Sequence, residues 1–301
     1  MSYATGTATD DSDLLADLRT FLKTSSGSGG PGWSEQEYDS GSKRMWFTAP
    51  GLGGSESIPI GFDLVRDTGA DAFALRCWMA KTYNGALAWD AQVGMTAIGY
   101  HPISDGSMPY WFVANGQRAI VVTKVSTVYT ASHVGRFLQY GTTSEYPQPY
   151  YLGAPRASNT RWSSVSENFR NFYDPGEASH VLFPSGIWYP VSNFFDSGGA
   201  ETDQTTANYV WPFQGYVTGN YARERYRELR NNLDGTYPLF PLTLLAENPT
   251  AEPLGEIDGA YAVPAFSAAA EDTITVGSDT YLVVPNVFRS QRYHYAAIKL
   301  A

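Results

Sequence analysis

The chain has 301 residues, a formal net charge of −10, 15% aromatic residues and only 17% charged ones. That acidic balance disfavours nucleic acid as the main partner, because such binding rests on clustered Lys and Arg that displace counterions from phosphate. The single cysteine, Cys77, excludes an intrachain disulfide and a multi-cysteine zinc site, and it reads as a small core hydrophobe. No apolar run reaches membrane-spanning length.

Met1–Thr9 is small and polar with no apolar anchor, which predicts a mobile arm. It has neither the basic start nor the apolar stretch of a signal peptide, so assembly in a reducing cytoplasm is expected. Asp10, Asp11, Ser12 and Asp13 then offer N-caps and negative charge for the positive end of a helix. Leu14, Leu15, Leu18, Phe21 and Leu22 recur at the spacing of one helical face, predicting a helix over Ser12–Lys23 that Ser25–Gly32 ends. The acidic cluster lacks the glycine and glutamate spacing of a calcium loop, so capping is the better reading. Strand candidates follow at Trp33–Asp39, Lys43–Thr48, Ser57–Val65 and Ala72–Ala80. Ala49–Ser55 is glycine-rich but has no phosphate-cradle lysine and no helix after it, and reads as a turn. Lys81–Asp105 reads as irregular.

The centre of the chain carries the clearest signal. Tyr110–Ala114 and Gln117–Val125 are rich in aromatic and β-branched residues, and Asn115-Gly116 between them predicts a two-residue turn with positive φ. Ala119-Ile120-Val121-Val122 is continuously apolar, which implies burial on both faces. Two prolines keep Gly141–Tyr151 from being a regular central strand. Ala154–Gly219 is polar, Ser/Asn-rich and aromatic, with short strand candidates at Ser179–Phe183 and Gly186–Val191 joined by a tight Pro184-Ser185-Gly186 turn. Asp196–Thr206 has no apolar anchor and is expected to be mobile. Tyr221–Asn232 holds Arg223, Arg225, Arg227 and Arg230 among Glu224 and Glu228, which suits a solvated, salt-bridged element, helix or strand, better than a phosphate site. Leu233–Leu245 combines a turn with an apolar extended run, and Gly255–Val263, Thr273–Val276, Thr280–Pro285 and Tyr293–Leu300 read as successive strands, with Thr273–Pro285 as a second hairpin.

A search for chemistry returns no catalytic residue, cofactor site or metal site. His101, His133, His180 and His294 stand apart from one another without zinc or metalloprotease spacing, which favours structural or surface roles. No nucleophile elbow of the G-x-S-x-G type occurs. Glu256 and Asp258 would share one face of a strand, the arrangement paired carboxylates need. Asp258-Gly259 is also a turn signature in which the carboxylate caps its own backbone, and that reading is preferred. Glu271-Asp272 is a second acidic pair.

Three stretches carry a resemblance: the opening YATGTATDDSDLLADLRTFL, the hairpin PYWFVANGQRAIVVTKVSTVY, and the tail segments LDGTYPLFPLTLL, GEIDGAYAV and EDTITVGSDTYLVVPNVFRSQRYHYAAIKLA. Together they resemble a family of tailed-bacteriophage virion structural proteins. The resemblance implies a building block of the tail, baseplate or neck that assembles in the host cytoplasm with copies of itself and other virion proteins, and it transfers no catalytic residue.

The expected fold is mainly β (α+β), with antiparallel sheets, one N-terminal helix packed on the sheet and an irregular insertion. The expected parts are an α+β region over 1–153, the insertion over 154–219 and a β region over 220–301. Trp188, Tyr189, Phe194, Phe195, Tyr209, Trp211 and Phe213 are too many for one small satellite core and are the candidate interface. A carbohydrate-binding or receptor-binding β protein, even one that cleaves glycans, is the competing expectation. An outer-membrane barrel is a weaker one, because the middle of the chain is rich in proline.

Overall fold

The computed structural model describes residues 1–160, 170–172, 179–191, 209–211, 238–246, 252–264, 268–288 and 295–300. Strand β1 (Ser2–Ala8) leads into helix α1 (Asp11–Lys23), followed by β2 (Ser34–Asp39), β3 (Arg44–Ala49), β4 (Ile58–Asp67), β5 (Ala72–Met79) and β6 (Gly99–Ile103). The middle of the chain forms β7 (Met108–Ala114), β8 (Arg118–Val125), β9 (Val128–Arg136), β10 (Leu138–Gln139), β11 (Tyr150–Gly153), β12 (His180–Leu182) and β13 (Trp188–Pro190). After these come β14 (Tyr209–Trp211), β15 (Phe240–Ala246), β16 (Glu252–Val263), β17 (Thr273–Val276), β18 (Asp279–Pro285) and β19 (Tyr295–Lys299). The protein is mainly β, and its strand pairs are antiparallel.

Three sheets stack in layers. The central sheet runs β1-β7-β8-β9-β11-β12-β13, the second β2-β3-β4-β5-β6, and the third β14-β15-β16-β19-β18-β17 with β10 paired to β16. Alternation along β8 shows the layering: Ala119 and Val121 pack with α1 and the second sheet, while Ile120 and Val122 pack with the third. This is why Ala119–Val122 is apolar without a break. A strand covered on both faces has no polar side to present, as the sequence predicts. Each fully buried Leu, Ile, Val or Phe here contributes roughly 1.5–3 kcal/mol.

Helix α1 begins one residue earlier than expected. Asp10 is the N-cap, accepting from the Asp13 N–H at 2.8 Å, while the Asp13 carboxylate accepts from the Thr9 N–H at 2.9 Å. Leu14, Leu15, Leu18, Phe21 and Leu22 are all buried in the core shared with the central and second sheets. Asp11 is buried too, held by the Arg66 guanidinium at 2.5 Å. Its hydrophilic neighbours gave no sign of that.

Other expectations need correction. Met1–Thr9 is not a free arm: β1 pairs with β7 along its whole length, from Ser2 opposite Ala114 to Ala8 opposite Met108. The strand needs no large apolar anchor because its backbone completes the β7 edge and its small residues leave room for the side chains of β7. A Cβ on Gly6 would lie 2.5 Å from the Tyr110 hydroxyl. At the central hairpin, neither Asn115 nor Gly116 takes a positive φ. The Asn115 side chain instead accepts from the N–H groups of Gln117 (2.8 Å) and Arg118 (3.1 Å), an Asx turn with Gly116 and Gln117 at its tip. Gly116 is required for another reason. The Gly51 N–H donates to its carbonyl at 2.6 Å, so the 49–55 loop docks on the turn, and a Cβ at 116 would meet the Gly51 carbonyl at 2.3 Å.

The region read as irregular contains β6, and β11 starts at Tyr150, immediately after the second proline. Within 154–219, β12 and β13 extend the central sheet and β14 joins the third. The Pro184-Ser185-Gly186 turn forms as expected, with Gly186 at φ +78°. Asp196–Thr206, Tyr221–Asn232, His294, Phe194, Phe195 and Phe213 lie outside the described residues.

Leu18 has no exposed surface and lies at the centre of the α1 face. Replacing it with Ala should destabilise the fold by roughly 2–5 kcal/mol in urea titrations. A loss below about 0.5 kcal/mol would mean that α1 does not hold the first two layers together.

Candidate functional site

Among the described residues, those able to do chemistry fall into three places. The first is the central hairpin turn, where Arg118 is fully buried and its Nε lies 3.1 Å from the Asp258 carboxylate on β16. The same carboxylate oxygen accepts from Asn115 Nδ2 (2.9 Å) and Gln117 Nε2 (3.2 Å), and Arg118 also donates to the Val113 carbonyl at 3.3 Å. Burial works against charge on Asp258, but Arg118 and the two amides outweigh it and hold the carboxyl below its ordinary range. Trp33 Nε1 donates to the Asn115 carbonyl at 2.8 Å, so the turn ties together the second sheet's leading segment, the central sheet and the third sheet.

Here the Asp258-Gly259 turn reading is overturned. Asp258 lies within β16 and accepts from the central sheet rather than from its own backbone. Gly259 (φ +78°) is present because a Cβ there would sit 2.1 Å from the Arg118 guanidinium. Glu256, two residues away, accepts from the exposed Tyr140 hydroxyl at 2.9 Å, so the two acids serve different partners. Glu271 takes the Lys124 ammonium at 2.5 Å and the Tyr129 hydroxyl, while Asp272 accepts from the Ala269 N–H at 2.7 Å.

The second place is the set of buried histidines and Cys77. His101, on β6, bridges two layers: its ring nitrogens lie 2.7 Å from Ser132 Oγ and 2.9 Å from Thr123 Oγ1 in the central sheet. Burial lowers its pKa to about 3. His133 packs against the Tyr151 ring at 5.7 Å, and burial together with the nearby Arg118 charge brings it to about 3 as well. His180 is buried on β12. Cys77 is buried, which pushes its thiol up and leaves it unreactive. Among the described residues no group of His, Cys, Asp or Glu is arranged to hold a metal ion, and no helix is long and apolar enough to cross a membrane.

The third place, which sequence reading missed, is the outer face of the second sheet. Strand register sets Arg44, Asp63, Arg76 and Tyr100 in one row across β3 to β6. Arg76 grips both carboxylate oxygens of Asp63, one of them at 2.7 Å. Burial nonetheless lifts Asp63 above the ordinary carboxylate value. Beside this row Trp78 and Trp89 pack edge to face with ring centroids 4.2 Å apart, and the Arg44 and Arg76 guanidiniums lie 5.7 and 5.0 Å from Trp89 and Trp78. Together with Asp90 they line an open cleft of about 760 Å³. The signal for it was the alternation of polar and aromatic residues along β3 and β5, visible once the pairing of those strands is known.

Of the candidate interface residues, Trp188 is half-buried, donating to the Gly94 carbonyl at 2.8 Å and stacked 6.5 Å from Tyr150. Tyr189 is 38% exposed and packs 4.6 Å from Phe183. Tyr209 and Trp211 are the ends of β14.

β1 ends the central sheet among the described residues, and Met1 and Tyr3 are 47% and 52% exposed. No protein-family model and no curated protein matches the chain.

Two outcomes test these environments. Asp258→Ala would leave the Arg118 charge buried without its partner, so it should cost about 3–5 kcal/mol in urea titrations. A loss under about 1 kcal/mol would show that the pair is not desolvated in solution. His101 and His133 are neutral in the fold, whereas the unfolded chain takes up their protons below the ordinary value of 6.5. Their stabilisation is therefore complete above that value and is lost as pH falls, by about 1.4 kcal/mol per pH unit for each histidine. Thermal melts should show Tm falling between pH ~7 and ~5, ahead of carboxylate titration. A flat Tm across that window would mean the rings are solvated.

Proposed function

We propose that this chain is a structural subunit of a tailed-bacteriophage particle, in the tail, baseplate or neck, that acts through contacts with copies of itself and with other virion proteins. The observation that carries the reading is the β1 edge. Natural sheets protect their open edges with charge, proline or brevity, because unpaired N–H and C=O groups attract further strands. Each other edge strand among the described residues has such a device. β2 carries Glu35, Glu37 and Asp39, β6 contains Pro102, β13 is three residues ending in Pro190, and β14 and β17 span three and four residues. β1 is seven residues long, uncharged and free of proline. An edge of this kind suits a protein whose working state is an assembly. β1 and its partner β7 also come from two of the stretches that resemble the virion family.

Immunoelectron microscopy of the particles, with antibody raised against this chain, tests the proposal. Gold at one fixed level of the tail, baseplate or neck is the expected result. Chain that accumulates free in the lysate while purified particles stay unlabelled would overturn it.

A carbohydrate-binding reading has one observation in its favour, the cleft on the second sheet. The part-exposed Arg44 and Arg76 guanidiniums and the exposed Asp90 carboxylate offer donors and acceptors together, the mixture a hydroxyl-rich ligand requires. Binding on a glycan array that is lost in Asp90→Ala, an exposed cleft residue, would favour this reading.

A further inference from the structure

We infer that β1 pairs with β1 of a second copy of this chain, antiparallel, about a two-fold axis at Thr5. The inference rests on the subunit reading above and names the partner of its open edge.

The occupant follows from the strand itself. Folded back on a copy of itself about Thr5, SYATGTA sets Ser2 opposite Ala8, Tyr3 opposite Thr7, Ala4 opposite Gly6 and Thr5 opposite Thr5. This register pairs all seven residues. Moving it by one position would set outward-facing residues against inward-facing ones, which the pleat forbids. A two-fold axis perpendicular to the sheet keeps each face on its own side. The exposed Tyr3, Thr5 and Thr7 therefore meet only one another, as aromatic–β-branched and Thr–Thr pairs, both favourable across strands. On the covered face Ala4 meets Gly6, and neither is large enough to disturb Tyr110 or α1 beneath.

Charge points the same way. β1 carries no charged side chain of its own, so the pairing sets no like charges directly opposite each other. β1 also meets β7 without a register shift, so no bulge bends its free side away from a partner. The contact would cover part of the exposed Tyr3 and Met1 surface and make the central sheets of two copies continuous.

The full-length chain should therefore behave as a dimer in size-exclusion chromatography with light scattering across the micromolar range. Thr5→Lys sets two like charges opposite each other and should halve the measured mass. Thr5 is exposed, and the change removes only the 3.0 Å hydrogen bond from its hydroxyl to the Tyr110 carbonyl, so circular dichroism and Tm should stay close to wild type. Thr5→Cys should cross-link under mild oxidation, because directly opposed Cβ atoms lie about 4.5–5.5 Å apart, within small adjustments of disulfide reach. Tyr3→Cys should not, since its own copy would stand roughly 13 Å away along the strand. Buried Cys77 contributes no background.

A monomeric wild-type chain, an unchanged mass in Thr5→Lys, or cross-linking of Tyr3→Cys as readily as Thr5→Cys would each overturn the pairing. Gold labelling of the particle by a chain that stays monomeric would leave the subunit reading standing and remove only the self-pairing. A dimer that never reaches the particle would do the reverse.

Discussion

The Arg118–Asp258 pair sits where the central and third sheets meet the hairpin turn, and the cost of burying it explains the polar crowding around it. A guanidinium with no exposed surface loses its hydration, and one carboxylate recovers that loss only with close geometry and further hydrogen bonds. Asn115 and Gln117 supply those bonds from the turn itself. Space for the guanidinium also constrains the backbone, since Gly259 leaves room beside it. One ion pair thereby fixes the choice of residue at several positions far apart in sequence.

The same economy governs the other buried polar groups. His101 meets two hydroxyls of the central sheet, and Asn171 spans from the Ala131 N–H to the Pro285 carbonyl, linking the central sheet to β18. These buried hydrogen bonds between layers help to specify which layer lies on which.

How much of this was legible depended on how local each feature is. The α1 face and the hairpins at β7–β8 and β17–β18 announce themselves within a few residues, through apolar spacing and turn chemistry. Continuous apolarity at Ala119–Val122 foretold a strand with two covered faces. β1 was missed because Ala, Gly and Thr signal nothing until their partner is known, and β11 because prolines at 147 and 149 obscured a strand that starts at Tyr150. Asp258 shows a further limit. Its neighbour glycine reads locally as a turn, whereas the reason for both residues is an arginine 140 positions away. The cleft depends on cross-strand neighbours, which no single-strand pattern contains.

The order of strands in the central sheet also bears on synthesis. β1 is made before its partner β7, which follows about a hundred residues later, and β9 pairs with β11 only after β10 has crossed to the third sheet. The second sheet, built from consecutive antiparallel neighbours, can pair as it emerges from the ribosome. The face that α1 and the central sheet will cover stays open meanwhile, since Phe47, Ile60, Phe62 and Leu75 find part of their packing on β7, β8 and β9. The nascent chain thus carries an uncovered apolar layer for the time taken to add those strands, an interval in which chaperone occupancy and expression temperature govern the yield of folded protein.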